Sequence, residues 1–242
     1  MPEIERHPFE PFLPQDACVL FLGSFPPQRK RWCMEFYYPN WLNDFWRICG
    51  LVFYGDREHF VIPEQKRFDL PKIISFCKER GIALYDTATE VRRLQDNASD
   101  KFLEIVTPTD LPALLARIPS CHTIVTTGQK ATETILSAYS SPCPSPTSVT
   151  TASGIPCPAV PVSFPTPATP ASAAPIPFNG SATTRPVKDG GAIPPVGGYT
   201  GIVIGGRPMD FYRMPSTSRA YPLSLDKKAD AYRRLFTSLA LL

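Results

Sequence analysis

The segment from Gly23 to Asn43 carries residue types that could bind and process a planar ligand. Gly23 and Ser24 follow a short apolar run, and a glycine lets a ligand approach the main chain closely. Tyr38 offers a flat face on which a base could stack, an interaction worth about 1–3 kcal/mol per base in nucleic-acid-binding proteins. Asn40 and Asn43 can each donate and accept hydrogen bonds, either at the edge of a base or to a water. We therefore expect this segment to form one wall of a ligand pocket.

Structural roles for the same side chains are the alternative. Asn40 is a residue type that caps helices, and Asn43 and Asp44 would then lie in a first turn, where polar residues are favoured. The aromatic residues of the segment could equally belong to the core. Asp44 is also the competing candidate for activating a water, because a carboxylate is a stronger base than an amide.

A second polar loop lies near the C-terminus and combines hydroxyls, backbone amides and one cation. Its residues are Pro215, Ser216, Thr217, Ser218 and Arg219. Such a loop can hold a phosphodiester backbone through main-chain N–H groups, hydroxyls and charge. An ordinary turn that precedes a helix is the alternative.

Four further residues are weaker candidates for the same site. Gly128 opens a helix after a strand, so nearby N–H groups could face an anion. Arg29 and Arg31 belong to a basic run beside the aromatic segment, where they could contact phosphates. Asp86 begins the loop that follows a buried strand.

The elements that must position these loops alternate between strand and helix. Short apolar runs predict buried strands over 17–22, 82–85 and 123–125, and helical spacing or stop signals predict helices over 40–53, 70–81, 109–117 and 129–137. This alternation implies a parallel sheet covered on both faces. In such a sheet, ligands bind beyond the C-terminal ends of the strands. The loops 23–43, 86–93, 126–130 and 214–221 are expected there.

The composition changes abruptly after the fourth predicted helix. Residues 141–200 hold 14 of the 29 prolines and almost no charge, so we expect 138–198 to be a disordered insertion. Beyond it, 199–214 reads as two strands around a glycine turn and 226–239 as a helix. A tail of that size is too small to fold alone. Residues 1–137 and 199–242 are therefore expected to form one domain.

Composition and motifs exclude several classes of protein. No run of about 18 apolar residues predicts a membrane span, and the polar N-terminus lacks the features of a signal peptide, so we expect a cytoplasmic monomer. The seven cysteines form no CxxC pair and are expected to be free thiols, with no metal site and no cofactor. No GxSxG or P-loop motif is present. The net charge of +3 permits nucleic acid as a partner.

Taken together, these loops resemble the uracil-DNA glycosylase superfamily, and most closely its hypoxanthine-DNA glycosylase branch. GSFPP at 23–27 is similar to that branch's first motif, and YY at 37–38 followed by NDFW at 43–46 is similar to its YY…N-x-F-W segment. MPSTS at 214–218 resembles its L-P-S-T-S motif. The stretches 83–93 and 126–131 are also similar to segments between those motifs.

The resemblance implies a three-layer α/β/α sandwich around a mainly parallel sheet, and hydrolysis of the N-glycosidic bond of a damaged base. By position, Asn43 matches the branch's catalytic asparagine and Tyr38 the aromatic residue that stacks on the extruded base. Phe25 occupies the position at which mismatch-type relatives carry a catalytic asparagine, so Asn43 is the available amide. Ser218 or Arg219 would fill the gap left in DNA by the flipped nucleotide.

The chain departs from the branch at two positions. Asn40 replaces a histidine, and Arg219 stands where proline is common. We therefore expect a monofunctional DNA glycosylase of base excision repair whose substrate is DNA with a deaminated base, either hypoxanthine or uracil. A non-catalytic nucleic-acid-binding member of the fold and a hydrolase of free nucleosides are the alternatives.

Overall fold

The computed structural model describes residues 2–95, 100–139 and 193–242. The strands, numbered in chain order, are β1 Ile4–Arg6, β2 Val19–Gly23, β3 Val61–Ile62, β4 Arg67–Phe68, β5 Ile82–Asp86, β6 Ala88–Arg93, β7 Leu103–Pro108, β8 Thr123–Thr127, β9 Tyr199–Ile204 and β10 Arg207–Met214. The α-helices are α1 Phe45–Tyr54, α2 Leu70–Glu79, α3 Leu111–Ala116, α4 Gln129–Tyr139 and α5 Leu225–Ser238. None of these helices has both the length and the apolar character to cross a membrane.

A five-stranded sheet forms the centre of the protein, in the order β5-β2-β8-β10-β9. The first four strands are parallel, and β9 runs antiparallel to β10. The predicted α/β class with a mainly parallel central sheet is confirmed. The predicted strands at 17–22, 82–85 and 123–125 are β2, β5 and β8, whose residues are all buried.

Helices cover both faces of this sheet. Phe21 of β2 packs against Phe45 of α1 and Phe236 of α5, with ring centroids 5.5 and 5.7 Å apart. Successive side chains of a strand point to opposite faces, so the buried Leu20 and Leu22 lie on the other face. Helix α4 contacts β8 and β9. The result is a layer of strands between two layers of helices.

A second sheet, which the sequence did not predict, consists of β1, β6 and β7 in the antiparallel order β1-β6-β7. The expectation of a loop over 86–93 was therefore wrong for most of that stretch. The apolar residues of β6 are Ala88 and Val91, which do not form the alternating pattern of a strand. Pairing with β1 on one side and β7 on the other makes this stretch a strand. The N–H of His7, just after β1, donates to the carbonyl of Thr89 at 2.8 Å.

The sequence predicted a helix that starts at Asn40, but α1 begins at Phe45. The N–H of Asn43 donates to the carbonyl of Asn40, and the Oδ1 of Asn40 accepts from the N–H of Leu42, so these residues form a turn before the helix. The next N–H, from Asp44, donates to the carbonyl of Thr217 in the C-terminal loop. Tertiary contacts therefore delay the start of the helix.

The chain segments on either side of residues 140–192 share the central sheet, because β10 pairs with β8. Helix α4 continues to Tyr139, whose hydroxyl donates to the carbonyl of Thr109. On the other side, Arg213 of β10 exchanges backbone hydrogen bonds with Gly197 and Gly198. The predicted insertion at 138–198 otherwise falls on residues outside the described ranges, and its disorder stays a prediction.

Candidate active site

A cavity of about 680 Å³ opens at the C-terminal ends of β2, β5 and β8. Most of the residues predicted to bind a ligand line it. They are Gly23, Ser24, Phe25, Tyr38, Asn40, Asn43, Asp86, Ser216, Thr217 and Ser218. The structure thus brings the loops after β2, β5 and β10 to one place, which is the end of the sheet where α/β proteins bind ligands. This space is called the cavity.

The side-chain amide of Asn43 is oriented so that its nitrogen, and not its oxygen, is available to a ligand. Its Oδ1 accepts a hydrogen bond of 2.9 Å from the N–H of Phe45, one of the N–H groups that the first turn of α1 leaves unpaired. This bond defines the orientation of the amide, so Nδ2, with two N–H donors, is the end left for a ligand in the cavity.

The C-terminal loop is joined directly to this part of the site. Ser218 and Asn43 form an isolated antiparallel bridge, and the hydroxyl of Ser216 accepts from the N–H of Ser218. Thr217 is buried, whereas Ser218 and Arg219 are exposed. The predicted DNA-binding residues therefore divide into buried supports, which include Pro215, and an exposed tip.

Asp44 does not line the cavity, because its carboxylate is engaged elsewhere. Its Oδ2 lies 2.9 Å from the Nζ of the buried Lys228, and its Oδ1 lies 3.1 Å from the Nε of Arg219. Lys228 also donates to the carbonyl of Ser218 at 2.8 Å. Asp44 is thus not placed to activate a water in the cavity, and it supports the C-terminal loop instead.

Tyr38 lies in the cavity with one ring face already covered. Its ring stacks on Phe45 with centroids 3.9 Å apart, and its hydroxyl forms a 3.1 Å hydrogen bond with the Oγ1 of Thr127. Burial raises the pKa of Tyr38, so the phenol stays neutral. Its backbone has a φ of 52°, in the left-handed region that residues other than glycine seldom adopt. A base could stack only on the other face.

Phe25 separates the cavity from the second sheet. It belongs to a small buried cluster with Ala88, Val91 and Leu103, and the guanidinium of Arg93 lies 5.8 Å from its ring. The position therefore supplies an apolar surface to the cavity and no hydrogen-bonding group.

Gly128, Arg29 and Arg31 do not line the cavity. The N–H of Gly128 itself donates to the carbonyl of Met214, and binding of an anion by the neighbouring N–H groups stays a prediction. Arg29 and Arg31 lie in a short 3₁₀ helix, and Arg29 forms an ion pair with Glu35. Their proposed contacts with phosphate stay predictions for the surface around the cavity.

Several residues of the site were missed or undervalued from the sequence. The side chain of His7 is only 3% exposed and is hydrogen bonded to Asp86, and no local pattern in the sequence indicated this contact. Asp100 is exposed as a residue, yet its carboxyl lines the cavity and hydrogen bonds to the buried Ser24. Desolvation raises the pKa of Asp100, and the charge of Asp86 adds to this effect. In the sequence, the position of Asp86 at the end of a predicted strand was the feature that pointed to these polar residues.

Within the part of the chain that the structure describes, no group of three or more His, Cys, Asp or Glu residues could hold a metal ion. The five cysteines in the same ranges are unpaired thiols.

No protein-family model and no curated protein matches the chain. Among solved structures, the chain is similar to a protein from Methanosarcina acetivorans whose solution NMR structure is provisionally described as that of a uracil DNA glycosylase. The two are 26% identical, and the alignment covers 56% of this chain and 78% of that one, with a TM-score of 0.41.

Proposed function

We propose that this protein is a monofunctional DNA glycosylase that hydrolyses the N-glycosidic bond of a deaminated base, hypoxanthine or uracil, in DNA. The observation that carries the proposal is that Tyr38 and Asn43 line one cavity and that the exposed loop tip is bonded to Asn43. A glycosylase must extrude its target nucleotide and hold the base in a pocket that stacks on it and reads its edge.

The cavity has the size and the groups that an extruded base requires. Small-molecule sites typically enclose about 300–1,000 Å³, a range that includes this cavity. The free ring face of Tyr38 supplies stacking, and Asn40 and Asn43 supply amide groups. The backbone of Gly23 and Ser24 supports a close approach of the ligand.

The orientation of Asn43 supports a role as a hydrogen-bond donor. When the bond between sugar and base breaks, electron density moves onto the base, and a fixed donor stabilises this developing charge. The Nδ2 of Asn43 is such a donor, since the helix N-terminus holds its Oδ1. Placement of a water, which we also expected of this amide, requires an acceptor, and the Oδ1 of Asn43 already accepts from the N–H of Phe45.

The exposed tip of the C-terminal loop supports DNA as the partner. Ser218 lines the cavity, and Arg219 follows it in the exposed tip, so a hydroxyl and a cation could occupy the space vacated by the extruded nucleotide. Arg219 is 45% exposed and is held by Asp44 at its Nε, so its guanidinium is oriented before any ligand binds.

A test uses duplex oligonucleotides that contain a single hypoxanthine, uracil or xanthine, followed by alkaline cleavage of abasic sites. Asn43→Asp keeps an oxygen that caps α1 but removes the amide donor, whereas Asn43→Ala removes both. We expect both variants to lose about 10²–10³-fold in excision rate, the typical cost of removing one such donor. Only Asn43→Ala should also be less stable, by about 1 kcal/mol.

The two alternative functions give different results in the same experiment. Binding to DNA without strand scission on any lesion would contradict the proposal and favour a non-catalytic module. Release of bases from free nucleosides, with no activity on duplexes, would favour a nucleoside hydrolase. Full activity of Asn43→Asp would show that an acceptor, and not a donor, is needed at this position.

A further inference from the structure

A buried histidine–carboxylate pair, of which the carboxylate lines the cavity, is not used by any part of the proposed base recognition. The Nε2 of His7 lies 2.9 Å from the Oδ2 of Asp86, and the two side chains are only 3% and 9% exposed. Asp86 lines the cavity, and His7 lies behind it. The partners are 79 residues apart in the chain, so tertiary structure alone creates the pair.

The surroundings of His7 hold its ring in one orientation. The Nδ1 of His7 lies 2.8 Å from the carbonyl oxygen of Phe9 and 3.1 Å from its backbone N–H, so the main chain of Phe9 holds this side of the ring and Nε2 faces the carboxylate of Asp86. The rings of Phe25 and Tyr85 lie with their centroids 5.3 and 4.7 Å from that of His7. His7 is therefore built to donate a hydrogen bond to one oxygen of Asp86.

The other carboxylate oxygen of Asp86 is left for the cavity. Within the described ranges, no hydrogen bond engages this Oδ1, which lies over Gly23: a Cβ atom at Gly23 would be only 2.3 Å from it. The backbone of Asp86 is also held, because its carbonyl accepts from the hydroxyl of Thr109 at 2.7 Å. A fixed acceptor thus lies beside the backbone expected to support the sugar and base.

The other acceptors of the cavity are less available. The Oδ1 of Asn43 accepts from the start of α1, and the hydroxyl of Tyr38 is bonded to Thr127. The carboxyl of Asp100 is bonded to Ser24. A water that attacks a sugar carbon must give up a proton, and Asp86 is the carboxylate held in place for receiving it.

We propose that Asp86 is the catalytic carboxylate that binds and deprotonates the attacking water, and that His7 is its positioning residue; this rests on the proposed glycosylase function. The water oxygen forms a bond to C1′ of the deoxyribose while the bond between C1′ and the base nitrogen breaks. The electron pair of that bond leaves with the base, which takes up a proton. One water proton passes to Asp86 and then to solvent, and this release balances the proton that the base takes up, so the hydrolysis needs no oxidant or reductant.

The first experiment compares Asp86→Asn with wild type in single-turnover excision on the lesion duplex that wild type cleaves fastest. An asparagine can still accept from His7 through its oxygen but cannot take a proton from water. We expect the rate to fall by about 10²–10⁴-fold, the usual contribution of general acid–base catalysis. The affinity for a duplex with a tetrahydrofuran abasic analogue should not change.

Two other aspartates serve as comparisons. Asp100→Asn tests the second carboxylate of the cavity, and a larger loss there than in Asp86→Asn would transfer the role to Asp100 and overturn the proposal. Asp210→Asn is the matched control, because Asp210 pairs with Thr123 at the opposite end of β8. This control should excise at the wild-type rate.

The second experiment tests positioning by His7. His7→Gln retains an N–H donor at a similar reach, whereas His7→Leu retains volume without a donor. We expect His7→Leu to lower the excision rate without weakening the binding of the abasic analogue, and His7→Gln to recover most of the lost rate. Equal rates of the two variants, with equal thermal unfolding midpoints, would reduce His7 to a packing role.

The outcomes separate this proposal from the proposed function. Excision by wild type and by Asp86→Asn at the same rate would overturn the role of Asp86 and leave the glycosylase assignment intact. A wild-type protein that excises none of the three bases would overturn both. A loss of folding in Asp86→Asn, seen as a lowered unfolding midpoint together with lost binding of the abasic analogue, would also contradict a catalytic role.

Discussion

At the scale of single residues, Tyr38 combines a structural task with the proposed task of stacking on a base. Its ring covers Phe45, and its hydroxyl is bonded to Thr127, while its main chain adopts a left-handed conformation. Such a conformation costs about 1–3 kcal/mol and persists only where its surroundings enforce it. The strain therefore falls on a residue of the proposed site.

The two tasks of Tyr38 can be separated by substitution. Tyr38→Phe removes the hydroxyl and should lower the free energy of unfolding by about 0.5–1.5 kcal/mol, with unchanged excision. Tyr38→Leu removes the flat face and should weaken the binding of lesion duplex by about 1–3 kcal/mol relative to undamaged duplex. Urea unfolding and fluorescence anisotropy measure the two effects. Equal discrimination by both variants would contradict stacking on Tyr38.

At the scale of elements, a buried ion pair connects the start of α1, helix α5 and the C-terminal loop. Asp44 precedes α1, Lys228 lies in α5 with 1% of its side chain exposed, and Lys228 also holds the carbonyl of Ser218. Removing two charges from water is costly, so a buried ion pair is tolerated where further hydrogen bonds, such as that from Lys228 to Ser218, engage the charged groups. Its consequence is a defined position for the loop tip.

Breaking this pair should be more damaging than removing it. Asp44→Asn leaves the buried Lys228 without a counter-charge and should lower the free energy of unfolding by about 3–5 kcal/mol, whereas Lys228→Met leaves Asp44 paired with the partly exposed Arg219 and should cost less. The double variant should lose about 0.5–3 kcal/mol less than the sum of the two single variants. Urea unfolding of all four proteins measures this coupling.

An exposed ion pair provides the comparison. Asp230 and Arg233 of α5 are 60% and 47% exposed, so Asp230→Asn should cost no more than about 1 kcal/mol. Additive effects of Asp44→Asn and Lys228→Met would show that the two side chains do not stabilise each other.

At the scale of the whole molecule, the central sheet is completed by a segment that follows a long proline-rich stretch. Strands β9 and β10 and helix α5 all come after residue 192, yet β10 pairs in parallel with β8. The loop tip, the support Lys228 and the last strands of the sheet therefore depend on chain that is distant from β2 in sequence.

Replacement of residues 141–190 by a short Gly-Ser linker should leave the thermal unfolding midpoint and the excision rate close to wild type. We expect these residues to be dispensable because of their composition, and a shorter loop costs less closure entropy. A longer deletion that reaches residue 198 should lower the midpoint, because Arg213 is bonded to Pro194, Gly197 and Gly198. Loss of activity in the shorter deletion would contradict a dispensable insertion.

Local patterns in the sequence were sufficient for the elements of the central sheet. The apolar runs of β2, β5 and β8 and the helical spacing of α2 and α5 depend on neighbours within a few residues, so they were predicted to within a few positions. The same patterns indicated which loops leave the C-terminal strand ends. Tyr38 and Asn43 lie in one of these loops and line the cavity, while their roles in the reaction stay predictions.

Only the tertiary structure decided which groups are paired and which are free. The partners His7 and Asp86 are 79 residues apart, and Asp44 and Lys228 are 184 apart, so no local spacing relates them. Strand β6 exists because β1 and β7 pair with it on either side. Local sequence determined where polar side chains leave the sheet, and long-range packing determined that Asp44 is buried in an ion pair while Asp86 faces the cavity.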